Sequence, residues 1–319
     1  MKHAPKLARY EVLGRLAAGG MAEVWLARSV GVAGFEKLVV IKTILPNLAE
    51  SPQFVSMFVN EARLAAMLSH PNCVQIFDLG QEGTTLYIAM EYLEGFALSR
   101  LLKRARTQSV PVSEGLIARI IMDAASGLDY AHRLKDREGR HVGLVHRDVS
   151  PNNLMVSARG EVKLLDFGIV KSDQRLTRTQ TGVVKGNLYF MSPEQARALE
   201  VDARSDLFSL GMVLYSAATG RPLYSGNTSF ELINRAGLGP TPEDLKRVAA
   251  LPPPLAGLVA RALEVDPERR YRNADEFARA VAQGGGIGTA AALQALMEAL
   301  FTDDFGAESA RLSATRVTA

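Results

Sequence analysis

The period of the apolar residues changes once along this chain, near residue 92, and that change constrains the fold more than any other feature. Before it, short apolar runs recur at Val24–Ala27, Leu38–Ile41, Val74–Phe77 and Leu86–Met90, a pattern of strands. One longer stretch interrupts them, from about Pro52 to Leu68, where Phe54, Phe58, Ala62 and Ala65 repeat at helical spacing and His70-Pro71-Asn72 ends the run. Beyond Glu94 the period is helical. Leu116, Ile117, Ile120, Ile121, Ala124, Leu128 and Ala131 form one stripe, with Ser113 placed to cap its start. Ser205 to Thr219 is apolar nearly all round, which predicts a helix buried in a core, and Gly220 and Pro222 supply its stop. The run GGGIG at 284–288 reads as a hinge into a last helix striped by Leu293, Leu296, Met297, Leu300 and Phe301, followed by a small, polar, unstructured tail. A single core stops growing near roughly 250 to 300 residues, so 319 residues with this division predict an α+β chain of two lobes. The expected boundaries are a tail over 1–9, a sheet lobe over 10–91, a helical lobe over 92–283, and a final helix with a flexible tail over 284–319.

Composition narrows what those lobes do. A hydrophobic fraction of 47% with 22% charged residues is that of a globular chain. A formal charge of +3, spread evenly, gives no basic footprint for nucleic acid, which is excluded as a partner. No apolar run approaches the roughly 20 residues a membrane helix needs, and MKHAPKLARYE lacks a signal-peptide core, so the expected place is the cytoplasm, away from membranes. The single Cys73 fits a reducing compartment and a buried structural thiol.

Four short stretches carry chemistry. LAAGGMAEV at 16–24 lies between two strand-like runs, where its glycines let backbone N–H groups approach phosphate oxygens. Alone it is equally a Gly/Ala surface hairpin. VVIK at 39–42 ends an apolar strand in Lys42, whose ammonium needs anions if it is not a solvated edge residue, and Glu61 on the following helix is a candidate carboxylate. HRDVSPNN at 146–153 and LLDFG at 164–168 flank a short hairpin. Together they bring two acids and an amide into range to accept a hydroxyl proton and to hold magnesium, a cation that prefers oxygen.

The ordered set Lys42, Glu61, His146-Arg147-Asp148, Asn153, Asp166-Phe167-Gly168 and Ser192-Pro193-Glu194 resembles the protein kinases, specifically the bacterial kinases similar to eukaryotic Ser/Thr kinases, over about residues 10 to 283. The resemblance implies a bilobal kinase-like fold, with a small antiparallel β-sheet lobe bearing one helix beside a larger helical lobe. It implies ATP and Mg2+ as cofactors. Lys42 grips the α- and β-phosphates and pairs with Glu61, Asp148 orients the substrate hydroxyl and accepts its proton, and Asn153 and Asp166 bind the metal. The nucleotide's surroundings become Leu16, Ala17, Gly19, Gly20 and Ala22 on the phosphate loop, with Val24, Val40 and Met155 as apolar walls. Met90 stands as gatekeeper, and Glu91 to Leu93 as the adenine hinge. Asp206 braces the catalytic loop, Glu194 and Arg270 form an ion pair, and His146 is structural. The implied partners are protein substrates bearing serine or threonine, and a second copy of the chain if it phosphorylates itself in trans. Arg147 implies control by phosphorylation at Thr177, Thr179 or Thr181.

The chain departs from the family at three places. The glycine loop retains only its middle glycine, with Ala17 and Ala22 replacing the others; if both keep φ below zero, alanine costs little. Ser150 stands where Ser/Thr kinases carry a lysine, and Asn152 where tyrosine kinases carry an arginine. Removing one preorganised donor typically costs about 3–4 kcal/mol of barrier, roughly 10²–10³ in rate, so Ser150 is kept in the catalytic set as a lineage variant that slows transfer. The family's Gly-Thr becomes Gly186-Asn187, a change that can compensate the first, and Lys185 is a candidate replacement cation. The alternative is a pseudokinase, a nucleotide-binding scaffold acting through protein contacts.

Overall fold

Alternation in the first ninety residues resolves into five antiparallel strands. These are β1 (Tyr10–Ala18), β2 (Ala22–Val30), β3 (Glu36–Ile44), β4 (Ile76–Glu82) and β5 (Thr85–Glu91), in the order β1-β2-β3-β5-β4. A computed structural model describes residues 5, 7–167 and 186–317, so Gly168, Thr177, Thr179, Thr181 and Lys185 lie outside the described residues. The chain divides into two units, Met1–His70 with Val74–Glu94 and Phe301–Ala319, and Pro71–Cys73 with Gly95–Leu300.

In the first unit, register decides which side chains share a face. Lys42 lies opposite Val24 and Ile88, and Val40 opposite Leu26 and Met90. Because side chains alternate along a strand, these six project from one side of the sheet. The other side carries Trp25, Ala27, Val39, Ile41, Tyr87 and Ala89, which pack with Leu7 and Tyr10 into an apolar cluster. A four-residue turn of helix, α1 (Pro46–Ala49), precedes α2 (Pro52–Ala66), which starts on Pro52 at a position where the missing N–H costs nothing. Met57, Phe58, Glu61, Ala62 and Ala65 are its buried residues, while Phe54, expected in that stripe, is only half-buried.

The second unit opens with β6 (Gly95–Ala97), which pairs with β7 (Leu154–Ser157) and β8 (Val162–Leu164) in a small antiparallel sheet. Helices α3 (Leu98–Thr107) and α4 (Glu114–His132) follow β6. The Ser113 hydroxyl accepts from the Leu116 N–H at 3.3 Å and caps α4, as its position predicts. After α5 (Pro193–Ala196), held by a capping box from Ser192 to Gln195, comes α6 (Ala203–Thr219), buried without interruption from Ser205 to Ser216. Gly220 ends it with φ 71°, the left-handed conformation that glycine adopts without penalty. The remaining helices are α7 (Ser229–Leu238), α8 (Pro242–Ala249), α9 (Pro253–Ala262) and α10 (Ala274–Gln283), of which α10 packs on α4, α6 and α9.

The last helix corrects the expected unstructured tail. α11 runs from Ala290 to Val317 and bends at Phe301, whose φ of −134° leaves the helical region. Residues 302–317 contain no proline, so no residue there forbids a helix, and the polar composition alone concealed that. Leu293, Leu296, Met297 and Leu300 are buried along its first half.

Candidate active site

Each unit contributes its own set of candidate residues. In the first, Lys42 at the end of the β3 apolar run meets Glu61 of α2, Nζ to Oε1 at 2.7 Å, with the two side chains 13% and 10% exposed. Partial burial keeps that pair from being a solvent-screened surface contact. The β1–β2 turn is closed by the Gly19 N–H donating to the Ala22 carbonyl at 2.9 Å, with Ala17 opposite Val24. Neither Ala17 nor Ala22 has positive φ, so the two lost glycines leave no backbone strain. Leu16 and Gly20 are exposed on this hairpin. Val24, Val40 and Met90 share the face that bears Lys42. Glu91 donates its N–H to the Gln75 carbonyl at 2.9 Å, and Leu93 is half-buried just beyond it. Met155, expected among the apolar walls, belongs to β7 of the second unit.

In the second unit the loop 146–153 is held from beneath by one carboxylate. Asp206, in the first turn of α6, accepts the N–H of His146 on Oδ2 and that of Arg147 on Oδ1, both at 2.8 Å. Its Oδ2 also meets His132 Nε2 at 2.8 Å. Arg147 is thereby held at φ 62°, a conformation a non-glycine residue keeps only when its surroundings enforce it. His146 is wholly buried. Its Nδ1 accepts from the Asp148 N–H at 3.2 Å and its Nε2 lies 2.9 Å from the Leu165 carbonyl, which makes it the Nε2–H tautomer. Burial lowers its pKa, and the nearby Asp206 and Asp148 charges only partly oppose this, so the ring stays neutral and structural. It packs on Phe167 with ring centroids 4.6 Å apart. Gln195 ties the same loop to α5, donating from its side-chain Nε2 to the Arg147 carbonyl at 2.8 Å.

Asp148 and Asn153 are brought into direct contact. Asn153 Nδ2 donates to the Asp148 carbonyl at 2.8 Å and to its Oδ2 at 2.9 Å. With the amide nitrogen so occupied, the carboxamide oxygen is the atom Asn153 has to offer a cation. The Leu165 N–H donates to the Asn153 carbonyl at 2.9 Å, which sets the exposed Asp166 beside it, at φ 44°. An amide oxygen and a carboxylate form a hard donor set of the kind magnesium takes when phosphates and water complete its shell, so the residues fit that ion. Among the described residues no group of three or more His, Cys, Asp or Glu is clustered to hold a metal.

Ser150 requires a correction. Its side chain is 0% exposed and its hydroxyl has no hydrogen-bond partner among the described residues, so it has no line to a substrate and cannot stand in for the missing lysine. The contact that sequence spacing did not predict lies beside it. Asn187 Nδ2 donates to Asp148 Oδ2 at 2.9 Å, and Asn152 Nδ2 donates to Asn187 Oδ1 at 2.8 Å. The paired departures at 150 and 187 were the only signal of it.

Below the site, Arg270 grips Glu194 with both nitrogens, at 2.6 and 2.9 Å, as expected of that pair. Arg270 also donates to the carbonyls of Glu264, Arg204 and Val265, and Ser205 donates to Glu194.

A five-stranded sheet with one long helix, preceding a helical unit whose loop carries paired acid and amide groups, defines a protein-kinase-like fold. The protein kinase domain family matches residues 10–281, and the chain belongs to that family. It is 44% identical over 272 residues to the tyrosine-protein kinase MasK of Myxococcus xanthus, covering 85% of this chain and 42% of that protein. It is 36% identical over 279 residues to the serine/threonine-protein kinase PknB of Mycobacterium tuberculosis, covering 84% of this chain and 42% of that one. The chain thus spans about 42% of the length of these relatives. The solved PknI kinase domain of Mycobacterium tuberculosis superposes with a TM-score of 0.65 at 27% identity, over 89% of this chain and 100% of the other.

Proposed function

We propose that this chain is a catalytically competent protein kinase, which uses ATP and magnesium to transfer the γ-phosphoryl group to serine or threonine hydroxyls of protein substrates. The observation that carries this reading is the Asp148 carboxylate, oriented by two amide donors on one oxygen in a loop whose backbone hangs from Asp206. Asp148 takes the hydroxyl proton as the oxygen–phosphorus bond forms and ADP leaves. Lys42, held by Glu61, neutralises the non-transferred phosphates. Asn153 and Asp166 are the groups that hold magnesium, which supplies charge neutralisation at the phosphates when bound. Leu16, Ala17, Gly19, Gly20, Ala22, Val24, Val40, Met90, Glu91, Leu93 and Met155 are assigned to nucleotide binding by the family resemblance. The scaffold alternative is not favoured, because every group whose loss abolishes metal or proton handling is present.

A second reading concerns the acceptor alone. MasK is named a tyrosine kinase, and neither the lysine of Ser/Thr kinases nor the arginine of tyrosine kinases is present here. Intact-mass analysis of the purified chain after incubation with ATP and magnesium tests both readings. Phosphates accumulate on the wild-type protein and are absent from Lys42→Met and Asp148→Asn, and phosphoamino-acid analysis finds phosphoserine or phosphothreonine. Equal mass in all three proteins refutes the kinase reading, and phosphotyrosine alone refutes the serine/threonine assignment. Phosphate mapped to Thr177, Thr179 or Thr181 supports control through that segment, and no described helix is long and apolar enough to cross a membrane.

A further inference from the structure

The buried Ser150 leaves the lysine's task unassigned, and the neighbouring amides supply a different arrangement. From Asn152 to Asn187 to Asp148 runs a chain of two hydrogen bonds, at 2.8 and 2.9 Å, each donated by a carboxamide nitrogen. Its direction is fixed by its end. A carboxylate only accepts, so Asn187 must turn its NH2 toward Asp148, which leaves its carbonyl for an outside donor. Asn152 is that donor. Without it the Asn187 amide keeps only one of the two contacts that hold its plane, and the carboxylate alone opposes a flip.

We infer that Asn187 is a positioning residue for Asp148, and that Asn152 acts through Asn187 to hold it in the donating orientation. The relay is built from neutral amides, at the positions where related kinases carry other residues. Two donors converge on Oδ2, one from Asn153 and one from Asn187, and together they fix the plane of the carboxylate. Asn152 is exposed and Asn187 half-buried, so the relay runs from the solvent face of the loop inward to the reacting group. Both residues are in the second unit with Asp148. Neither hydrogen bond of the relay reaches the residues assigned to nucleotide. Its loss therefore appears in the maximal rate and not in the half-saturating concentration of ATP.

This inference rests on the kinase reading, and the experiment separates the two. The full chain, first stripped of phosphate, is followed by intact mass during autophosphorylation across a range of ATP concentrations. Asn187→Ala, Asn152→Ala, the double variant, Asn187→Thr and Asp148→Asn are compared with wild type, with a melting temperature for each. A hydrogen bond to a charged group is worth about ten- to a hundredfold in rate, so Asn187→Ala lowers the maximal rate by that factor while half-saturation by ATP stays within about twofold. Asn152→Ala costs about three- to tenfold, and the double variant is no slower than Asn187→Ala, because Asn152 has no separate route to Asp148. Asn187→Thr, which keeps a donor, recovers part of the rate. The relay is overturned if Asn187→Ala matches wild type, if the two single losses multiply in the double variant, if threonine is as slow as alanine, or if the rate loss follows a fall in melting temperature. Asp148-dependent phosphorylation with no Asn187 effect removes the relay alone; a wild-type chain indistinguishable from Asp148→Asn removes both.

Discussion

Replacing Glu194 with glutamine removes the charge that the Arg270 guanidinium grips through two hydrogen bonds. Arg270 is 1% exposed, and among the described residues its other acceptors are three backbone carbonyls, which satisfy hydrogens without neutralising charge. The substituted amide also places an NH2 where Arg270 donates, so a hydrogen bond becomes a clash of donors. Breaking a buried pair in this way costs about 3–5 kcal/mol. For a unit of this size that corresponds to roughly 6–20 °C in melting temperature. Scanning fluorimetry at pH 7 and urea titration measure it. Burial raises the Glu194 pKa, but the hydrogen bonds and charge of Arg270, with the Ser205 hydroxyl, outweigh it and set the pKa below its ordinary 4.5. A carboxylate lowered on folding stabilises fully above pH 4.5, and that contribution fades as pH falls through the folded value. The difference between wild type and Glu194→Gln therefore narrows in acid. A second variant, Glu194→Leu with Arg270→Met, restores much of the loss, since apolar replacement of both partners is often neutral. A shift under about 2 °C for the single variant, or a double variant less stable than it, refutes the uncompensated charge as the cause.

The remaining predictions concern packing. Burial pushes the Cys73 thiol up to about 12, against the opposing charge of Lys163, and Sγ lies 3.7 Å from the Gly127 carbonyl. A thiol reagent at pH 8 therefore leaves the native protein unmodified and labels it once in denaturant; rapid native labelling contradicts the burial argument. Gly127→Ala gains about 1 kcal/mol of helix propensity, but the added Cβ meets the Asn72 carbonyl oxygen and Leu164 Cδ1, each at 2.8 Å. Overpacking costs about 1–3 kcal/mol and a backbone oxygen has little room to yield, so the variant loses stability in urea; a gain refutes this.

What sequence alone discloses follows the reach of each interaction. The period change near residue 92 separates strand from helix because each apolar face has to be buried within its own element. Ser113 and Gly220 mark helix ends because capping acts within three or four residues. The motif order locates Lys42, Glu61, Asp148, Asn153 and Asp166, and the fold brings Lys42 to Glu61 and Asp148 to Asn153. Asn187 reaches Asp148 across 39 residues, a side-chain contact that leaves no period to detect. Ser150 illustrates the converse. Its hydroxyl suggests an exposed catalytic group, yet the small side chain turns inward among buried neighbours Val149 and Pro151. The helical continuation of α11 past Phe301 was concealed by polarity, which predicts exposure and says little about backbone conformation.

Asp206 sits in the first turn of a rod that is buried along twelve consecutive positions, Ser205 to Ser216, and the reaction loop hangs from both carboxylate oxygens of Asp206. The backbone that carries Asp148 is therefore set by a helix of the core. A change of side chain at 152 or 187 leaves the loop's backbone hung from the same two oxygens, so it is felt at Asp148 through side chains alone.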